Sequence, residues 1–171
     1  MLRTIAAFAV LIAALFLERA LIVPQWHCDI QMRTIRARTD EIERHGDSLG
    51  VYPAARENVR RLTSCLNVER DNVEAWMLLA ANFLALDKKL EAAAAYREAL
   101  KYDRRPELFF SLGLVELDLG QRDAAIKDLT TAATFNPNVT DAIVYDDVRQ
   151  IVFNRVHDRQ KQILARTGVS R

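Results

Sequence analysis

Two segments of this chain repeat one order of large, small and aromatic side chains at an offset of 33 residues. The first segment starts at Val73 and the second at Pro106. In each, apolar residues recur at helical spacing in two stretches, with a break near Asp87 or Gly120. The matched pairs are Trp76 and Phe109, Leu79 and Leu112, Ala80 and Gly113, Leu84 and Leu117, Leu86 and Leu119, Ala92 and Ala125, Tyr96 and Leu129, Ala99 and Ala132, and Tyr102 and Phe135. Each segment therefore predicts two closely packed helices joined by a turn.

These segments resemble tetratricopeptide repeats, helical hairpins that stack into a solenoid. The first, residues 73–105, carries the family pattern at Trp76, Leu79, Ala80, Phe83, Ala92, Tyr96 and Ala99. The second, residues 106–139, carries it at Phe109, Leu112, Gly113, Gly120, Ala125, Leu129, Ala132 and Pro137. Two positions depart from the pattern: Glu116 replaces the aromatic residue that Phe83 supplies, and Arg104 stands where the next repeat has Pro137. The resemblance implies a scaffold for protein contacts.

Composition agrees with a helical fold. The 171 residues include only five glycines and four prolines, which leaves few positions for the tight turns of a β-sandwich or barrel. Half of the residues are hydrophobic, enough to bury a core. The formal net charge of +1 provides no positive field for nucleic acid, so we expect no nucleic-acid partner.

Two repeats cannot bury their outer faces alone, so flanking helices are expected on both sides. Upstream, residues 27–72 resemble a degenerate repeat, with one helix within 29–45, a break at 46–50 and a second helix over 53–69. Downstream, Thr140 and Asp141 can cap a helix that closes the solenoid within residues 140–171.

An apolar segment at the start of the chain has the length of a membrane span. From Thr4 to Val23 a helix would rise about 30 Å, the thickness of the hydrocarbon core. Residues 1–26 are therefore predicted to form a transmembrane signal-anchor helix; a cleaved signal peptide and a buried soluble helix are the alternatives. The anchor residues are Ile5, Phe8, Leu11, Leu15, Phe16 and Leu17, with Trp26 at the membrane interface. The predicted fold is thus all-α: this helix, a short solenoid of tetratricopeptide type and a C-terminal capping helix.

The sequence carries opposing signals for the side of the membrane on which the repeat domain lies. Arg3 favours a cytoplasmic N-terminus, whereas Arg33, Arg36 and Arg38 after the span favour the opposite orientation. A short N-terminal tail before a large domain favours an extracytoplasmic repeat domain, and the arginine-rich basic complement suggests a bacterial inner membrane. Cys65 stands at a small packing position, so a buried free thiol is expected, with a Cys28–Cys65 disulfide as the alternative in an extracytoplasmic domain.

The sequence contains no recognisable catalytic constellation. The three histidines are far apart, and there is neither a phosphate-binding glycine loop nor a nucleophile elbow. We therefore expect no enzyme, no catalytic or metal-binding residues, no cofactor and no small-molecule substrate.

The resemblance implies a partner-binding groove on the first helix of each repeat. The groove residues are Glu74, Met77, Leu84, Glu107, Phe110, Leu114, Leu117 and Asp118. This groove is apolar with an acidic rim, which suits an amphipathic or apolar segment with basic flanks, unless the chain's own C-terminal or upstream helix fills it. The function predicted is a non-catalytic, membrane-anchored scaffold that contacts protein subunits of a larger membrane complex and the bilayer through its N-terminal helix. The alternatives are an assembly or envelope-biogenesis factor that binds its client transiently, and, less favoured, an enzyme.

Overall fold

A computed structural model describes Cys28, residues 31–44 and residues 50–167. The chain divides into two compact units, the first ending at Leu86 and the second beginning at Asp87, and each is described here by itself. The regular structure of the described residues is helical, without a strand among them, which confirms the predicted all-α class. The expected transmembrane helix, residues 1–26, lies outside the described residues. Within the described ranges, no helix combines the length and the hydropathy needed to cross a bilayer.

The first unit contains three helices: α1 (residues 31–44), α2 (Val51–Leu66) and α3 (Val73–Ala85). In α1 the buried residues recur every three or four positions, so one face points inward and the other lies in water. They are Met32, Ile35, Thr39 and Ile42. Both helices predicted upstream of the repeats are thus present, α1 inside the range 29–45 and α2 starting slightly before the predicted Pro53. Pro53 lies in the first turn of α2, where a missing N–H leaves no intrahelical bond unmade.

A disulfide joins the two cysteines of the chain. Cys28 and Cys65 are bonded, with their Cα atoms 5.4 Å apart, and both are buried. The bond ties the segment before α1 to the end of α2. The prediction of a free buried thiol at Cys65 was therefore wrong, and the structure contains the alternative, a Cys28–Cys65 disulfide. The packing of the first unit brings these two cysteines, 37 positions apart in the sequence, into bonding range.

A buried polar network connects all three helices of the first unit. Asn82 Nδ2 donates a hydrogen bond to Thr39 Oγ1 at 2.8 Å, and Asn58 Nδ2 donates one to Asn82 Oδ1 at 3.0 Å. The three side chains are almost fully buried. Because a buried polar atom without a partner costs about 1–3 kcal/mol, these bonds favour one alignment of α1, α2 and α3 over alternatives that would separate them.

The second unit contains α4 (Lys89–Ala99), α5 (Pro106–Asp118), α6 (Arg122–Phe135), a 3₁₀ helix (Pro137–Ala142) and α7 (Asp146–Thr167). Pro106 occupies the first turn of α5, where its fixed φ suits a helix start. Close packing of α5 on α6 depends on Gly113, because a Cβ there would lie 2.7 Å from Leu129 Cγ. The close approach of α6 to α5 therefore explains why the repeat pattern has a small residue at position 113.

The C-terminal helix begins later than predicted. Thr140 and Asp141 do not cap it but belong to the 3₁₀ helix, and α7 starts at Asp146. The reason lies at Asn136, whose backbone is extended (φ −136°, ψ 94°) because the following Pro137 disfavours the helical conformation. Its side chain accepts a bond from the Asn138 backbone N–H at 3.2 Å, which starts a separate turn.

Candidate partner-binding site

The predicted groove residues fall on α3 of the first unit and on α5 of the second, so the two halves of the set are described separately. On α3, Leu84 is 37% exposed and Met77 is half-buried. Glu74 is half-buried and forms an ion pair with Arg36 of α1. The α3 half therefore presents apolar side chains that water reaches, beside a carboxylate that the chain itself neutralises.

The apolar residues of the α5 half are part of a core. Phe110, Leu114 and Leu117 are partly buried and pack against a cluster of buried residues contributed by α6, α7 and the segment between them. The cluster consists of Ile126, Leu129, Ala133, Ile143, Val148, Val152 and Val156. On this half, the alternative in which the chain's own C-terminal helix covers the groove residues has direct support. That a protein partner contacts the predicted groove residues stays a prediction.

The two acidic rim residues on α5 differ in their surroundings. Glu107 is exposed in the first turn of α5, where its charge complements the positive end of the helix dipole. Asp118, at the other end of α5, lies 3.3 Å from Lys89 Nζ. Exposed pairs of this kind contribute about 0–1 kcal/mol, so a basic partner can displace Lys89 at little cost.

The sequence did not predict a second feature beside α5, which is a cleft. A cleft of about 400 Å³ opens between α4, α5 and α6, on the face of α5 away from Phe110, Leu114 and Leu117. It is lined by Arg97, Leu100, Arg104, Phe109, Leu112, Glu116, Ala124, Lys127 and Asp128. The signal that could have found it was visible: Glu116 occupies a position at which the first repeat has Phe83 and the family has an aromatic residue.

The carboxyl groups of the cleft are not equivalent. Glu116 is 2% exposed, and its Oε1 accepts a hydrogen bond from Arg97 Nη2 at 2.8 Å. The same guanidinium nitrogen also donates to Gln121 Oε1 at 3.3 Å. Asp128 is half-buried, and burial, followed by the nearby charge of Glu116, raises the pKa of Asp128. The cleft thus places two acidic groups near each other. Its lining also contains three basic side chains, Arg97, Arg104 and Lys127.

The predicted membrane-anchor residues lie outside the described residues. They are Ile5, Phe8, Leu11, Leu15, Phe16, Leu17 and Trp26.

Comparison with known proteins bears on the repeats alone. No curated protein shows significant similarity to the chain. Residues 73–106 and 106–139 each match the family model of the tetratricopeptide repeat, typically a non-catalytic module for protein contacts. The match confirms the resemblance deduced from the sequence: this part of the chain carries two tetratricopeptide repeats.

Proposed function

We propose that this chain is a non-catalytic scaffold that holds a protein partner through the exposed side of α3, as a subunit of a larger membrane complex. One observation carries the choice of surface. Leu84 is 37% exposed at a predicted contact position, whereas its counterpart in the second repeat, Leu117, packs against a buried cluster. Apolar side chains that stay in contact with water are the part of a helix that gains most from covering by a partner.

The chemistry of α3 favours an amphipathic segment as the partner. Met77 and Leu84 offer an apolar strip, and methionine adapts its shape to different contacts. Glu74 lies beside this strip, and its pair with Arg36 is exposed enough to exchange for a basic residue of the partner. An apolar helix face flanked by a lysine or arginine therefore fits this surface.

The proposal places the repeats outside the cytoplasm, attached by the helix predicted for residues 1–26. The support is the Cys28–Cys65 disulfide, because disulfides persist in oxidising compartments and are rare in the cytosol. Anchoring would raise the local concentration of the scaffold near other membrane subunits.

The contact surface is tested with Leu84→Glu against a matched control, Leu90→Glu. Leu90 is 65% exposed on α4 and lies outside the predicted contact set, so both variants place a carboxylate at an exposed leucine. With native membranes solubilised in mild detergent, we expect the wild type and L90E to copurify with the same proteins and L84E to lose at least one of them. Equal recovery by all three, with unchanged circular dichroism, would exclude α3 as the contact surface.

The lifetime of the complex separates the two forms of the proposed function. A complex that survives detergent purification identifies a stable subunit. A partner recovered only after chemical crosslinking identifies a transient assembly factor instead.

The compartment is tested separately. Thiol labelling of the freshly denatured protein should find Cys28 and Cys65 blocked until a reductant is added, and alkaline extraction should leave the chain in the membrane pellet. Free thiols, or release from the pellet, would contradict the proposed location while leaving the scaffold function untouched.

A further inference from the structure

The end of α7 extends past the helix that it packs against. Asp147 forms an ion pair with Arg122 at the start of α6, and Arg159 Nη1 donates a hydrogen bond to Thr134 Oγ1, at 3.5 Å, near the end of α6. Both contacts join residues 25 positions apart, so α7 lies alongside α6 and runs in the same direction. Because α6 ends at Phe135, the part of α7 that follows position 160 extends about 10 Å beyond it.

This end of α7 is exposed on all sides. Val148, Val152 and Val156 are buried at helical spacing, whereas every residue from 157 to 166 is exposed. Helices in proteins are stabilised mainly by the packing of an apolar face. The last turns of α7 therefore receive little stabilisation from the rest of the second unit.

The exposed end carries a concentrated positive charge. Positions 155 to 166 contain four basic residues and one carboxylate, which are Arg155, Arg159, Lys161, Arg166 and Asp158. Within the part of the chain that the structure describes, the ion pairs of α7 involve Asp146 and Asp147 at its start, and none involves a residue of this basic end.

The helix dipole accounts for only part of this charge. A basic residue in the last turn is favoured by the dipole, as at Arg166, but the effect fades within that turn. Lys161 lies further back, and Arg155 and Arg159 are like charges four positions apart, which repel each other on a helix. An anion outside the chain would relieve this repulsion.

The arrangement of these residues favours an anionic surface over a small anion. Arg155, Arg159 and Arg166 follow one another at intervals of four and seven residues, which places them on one side of the helix, with the exposed Ile163 beside them. A convex helix cannot enclose a small anion, whereas a plane of phosphate groups meets the whole row. Guanidinium groups match phosphate in geometry, and an aliphatic side chain among them suits the boundary between headgroups and acyl chains.

We propose that the basic end of α7, residues 155–166, binds the headgroup surface of a bilayer that contains anionic phospholipids. Arg155, Arg159 and Arg166 donate to lipid phosphates, and Ile163 lies against the start of the acyl chains. A single attachment of this kind is weak and reversible, so α7 acts as a second attachment besides the predicted anchor. The inference rests on the proposed function only in that a bilayer lies within reach, and it does not involve the contact surface of α3.

The test places the full chain with nanodiscs of pure phosphatidylcholine, or with discs that contain about one-third phosphatidylglycerol, and follows hydrogen–deuterium exchange by mass spectrometry. We expect the backbone amides of residues 157–166 to exchange about tenfold more slowly with the anionic discs. Salt at about 1 M, which shortens the screening length to about 3 Å, should remove this protection.

A triple variant, Arg155→Gln/Arg159→Gln/Arg166→Gln, should lose the protection while its circular dichroism stays unchanged. The matched control, Arg56→Gln/Arg70→Gln/Lys127→Gln, removes the same charge from exposed positions outside α7 and should keep the protection. Equal exchange with both kinds of disc, protection that survives high salt, or protection in the folded α7 variant would overturn the proposal.

Two further outcomes are distinguishable. If the anionic discs give no protection but an oligoglutamate peptide protects residues 157–166, the basic end of α7 takes an acidic protein segment and the lipid proposal is wrong. If the chain does not incorporate into pure phosphatidylcholine discs, the predicted anchor is contradicted, yet anionic discs should still recruit the chain through α7.

Discussion

Asp87 and Gly120 occupy equivalent turns of the two repeats and both have a positive φ, 55° and 72°. A side chain in this left-handed region normally crowds the neighbouring carbonyl, so glycine is favoured there and aspartate is one of the few residues that tolerate it. The two repeats therefore keep one turn conformation with different residues.

This relationship predicts the effect of Gly120→Ala. Apart from Gly120 itself and its two chain neighbours, no described residue has an atom within 4 Å of the position of a new Cβ. The cost is therefore one of backbone conformation, about 1 kcal/mol of unfolding free energy. Gly50→Ala is the matched control, because Gly50 has equally open surroundings but a φ of −88°. Urea denaturation should show G120A destabilised by more than G50A, which replaces a helix N-cap residue that has an ordinary φ. Equal effects of the two substitutions would contradict the assignment of the left-handed turn.

Gly113→Ala is predicted to destabilise the second unit for a steric reason. The new Cβ would lie 2.7 Å from Leu129 Cγ and 3.3 Å from the Ala125 carbonyl oxygen. Overpacking of this kind costs about 1–3 kcal/mol, which exceeds the gain of about 1 kcal/mol that alanine brings to a helix interior.

The steric origin is tested in a double-mutant cycle with Leu129→Ala. Removing the leucine side chain should abolish most of the cost of G113A, so that the two substitutions together destabilise less than their sum. If G113A is more stable than the wild type, α5 and α6 do not approach each other as closely as described.

The disulfide is predicted to stabilise the first unit. Closing a loop between residues 37 positions apart lowers the entropy of the unfolded chain and is worth about 3–4 kcal/mol. Cys28→Ala/Cys65→Ala should therefore melt at a lower temperature than the oxidised wild type. A reductant should lower the melting temperature of the wild type and leave that of the double variant unchanged; a wild type insensitive to full reduction would contradict the prediction.

Asp128 is predicted to make the stability depend on pH. Burial, and after it the charge of Glu116, raises the pKa of Asp128, while Lys127, Arg97 and Arg104 act in the opposite direction. The folded state therefore holds the proton more tightly than the unfolded state, and this contribution to stability is lost as pH rises through the folded pKa.

Asp128→Asn removes the titration. Chemical denaturation should find the variant similar to the wild type at about pH 3 and more stable at neutral pH, by at most about 1 kcal/mol because Asp128 is half-exposed. Asp123→Asn, at an exposed carboxylate, should show no such difference. A variant less stable than the wild type at neutral pH would mean that ionised Asp128 is stabilised by its basic neighbours rather than penalised by burial.

Much of the local structure could be predicted from the sequence. The helices of the repeats follow from apolar residues at helical spacing, and the turn at Gly120 follows from a glycine at the break in that pattern. Such signals are local, since each depends on residues within a few turns of one another. The start of α7 was missed because the effect of Pro137 on Asn136 outweighed the capping preference of Thr140 and Asp141.

The features of the structure that bear on partner binding depend on contacts between residues far apart in the sequence. Periodicity marks Phe110, Leu114 and Leu117 as apolar but does not say whether α7 or a partner covers them, because the answer depends on where α7 packs. The identity of Glu116 is plain in the sequence, whereas its burial and the cleft beside it arise from the arrangement of α4, α5 and α6. By itself the sequence determined a helical repeat protein, since helix formation follows local pattern; only the tertiary structure decided which of its faces are covered, because burial is a property of packing between elements.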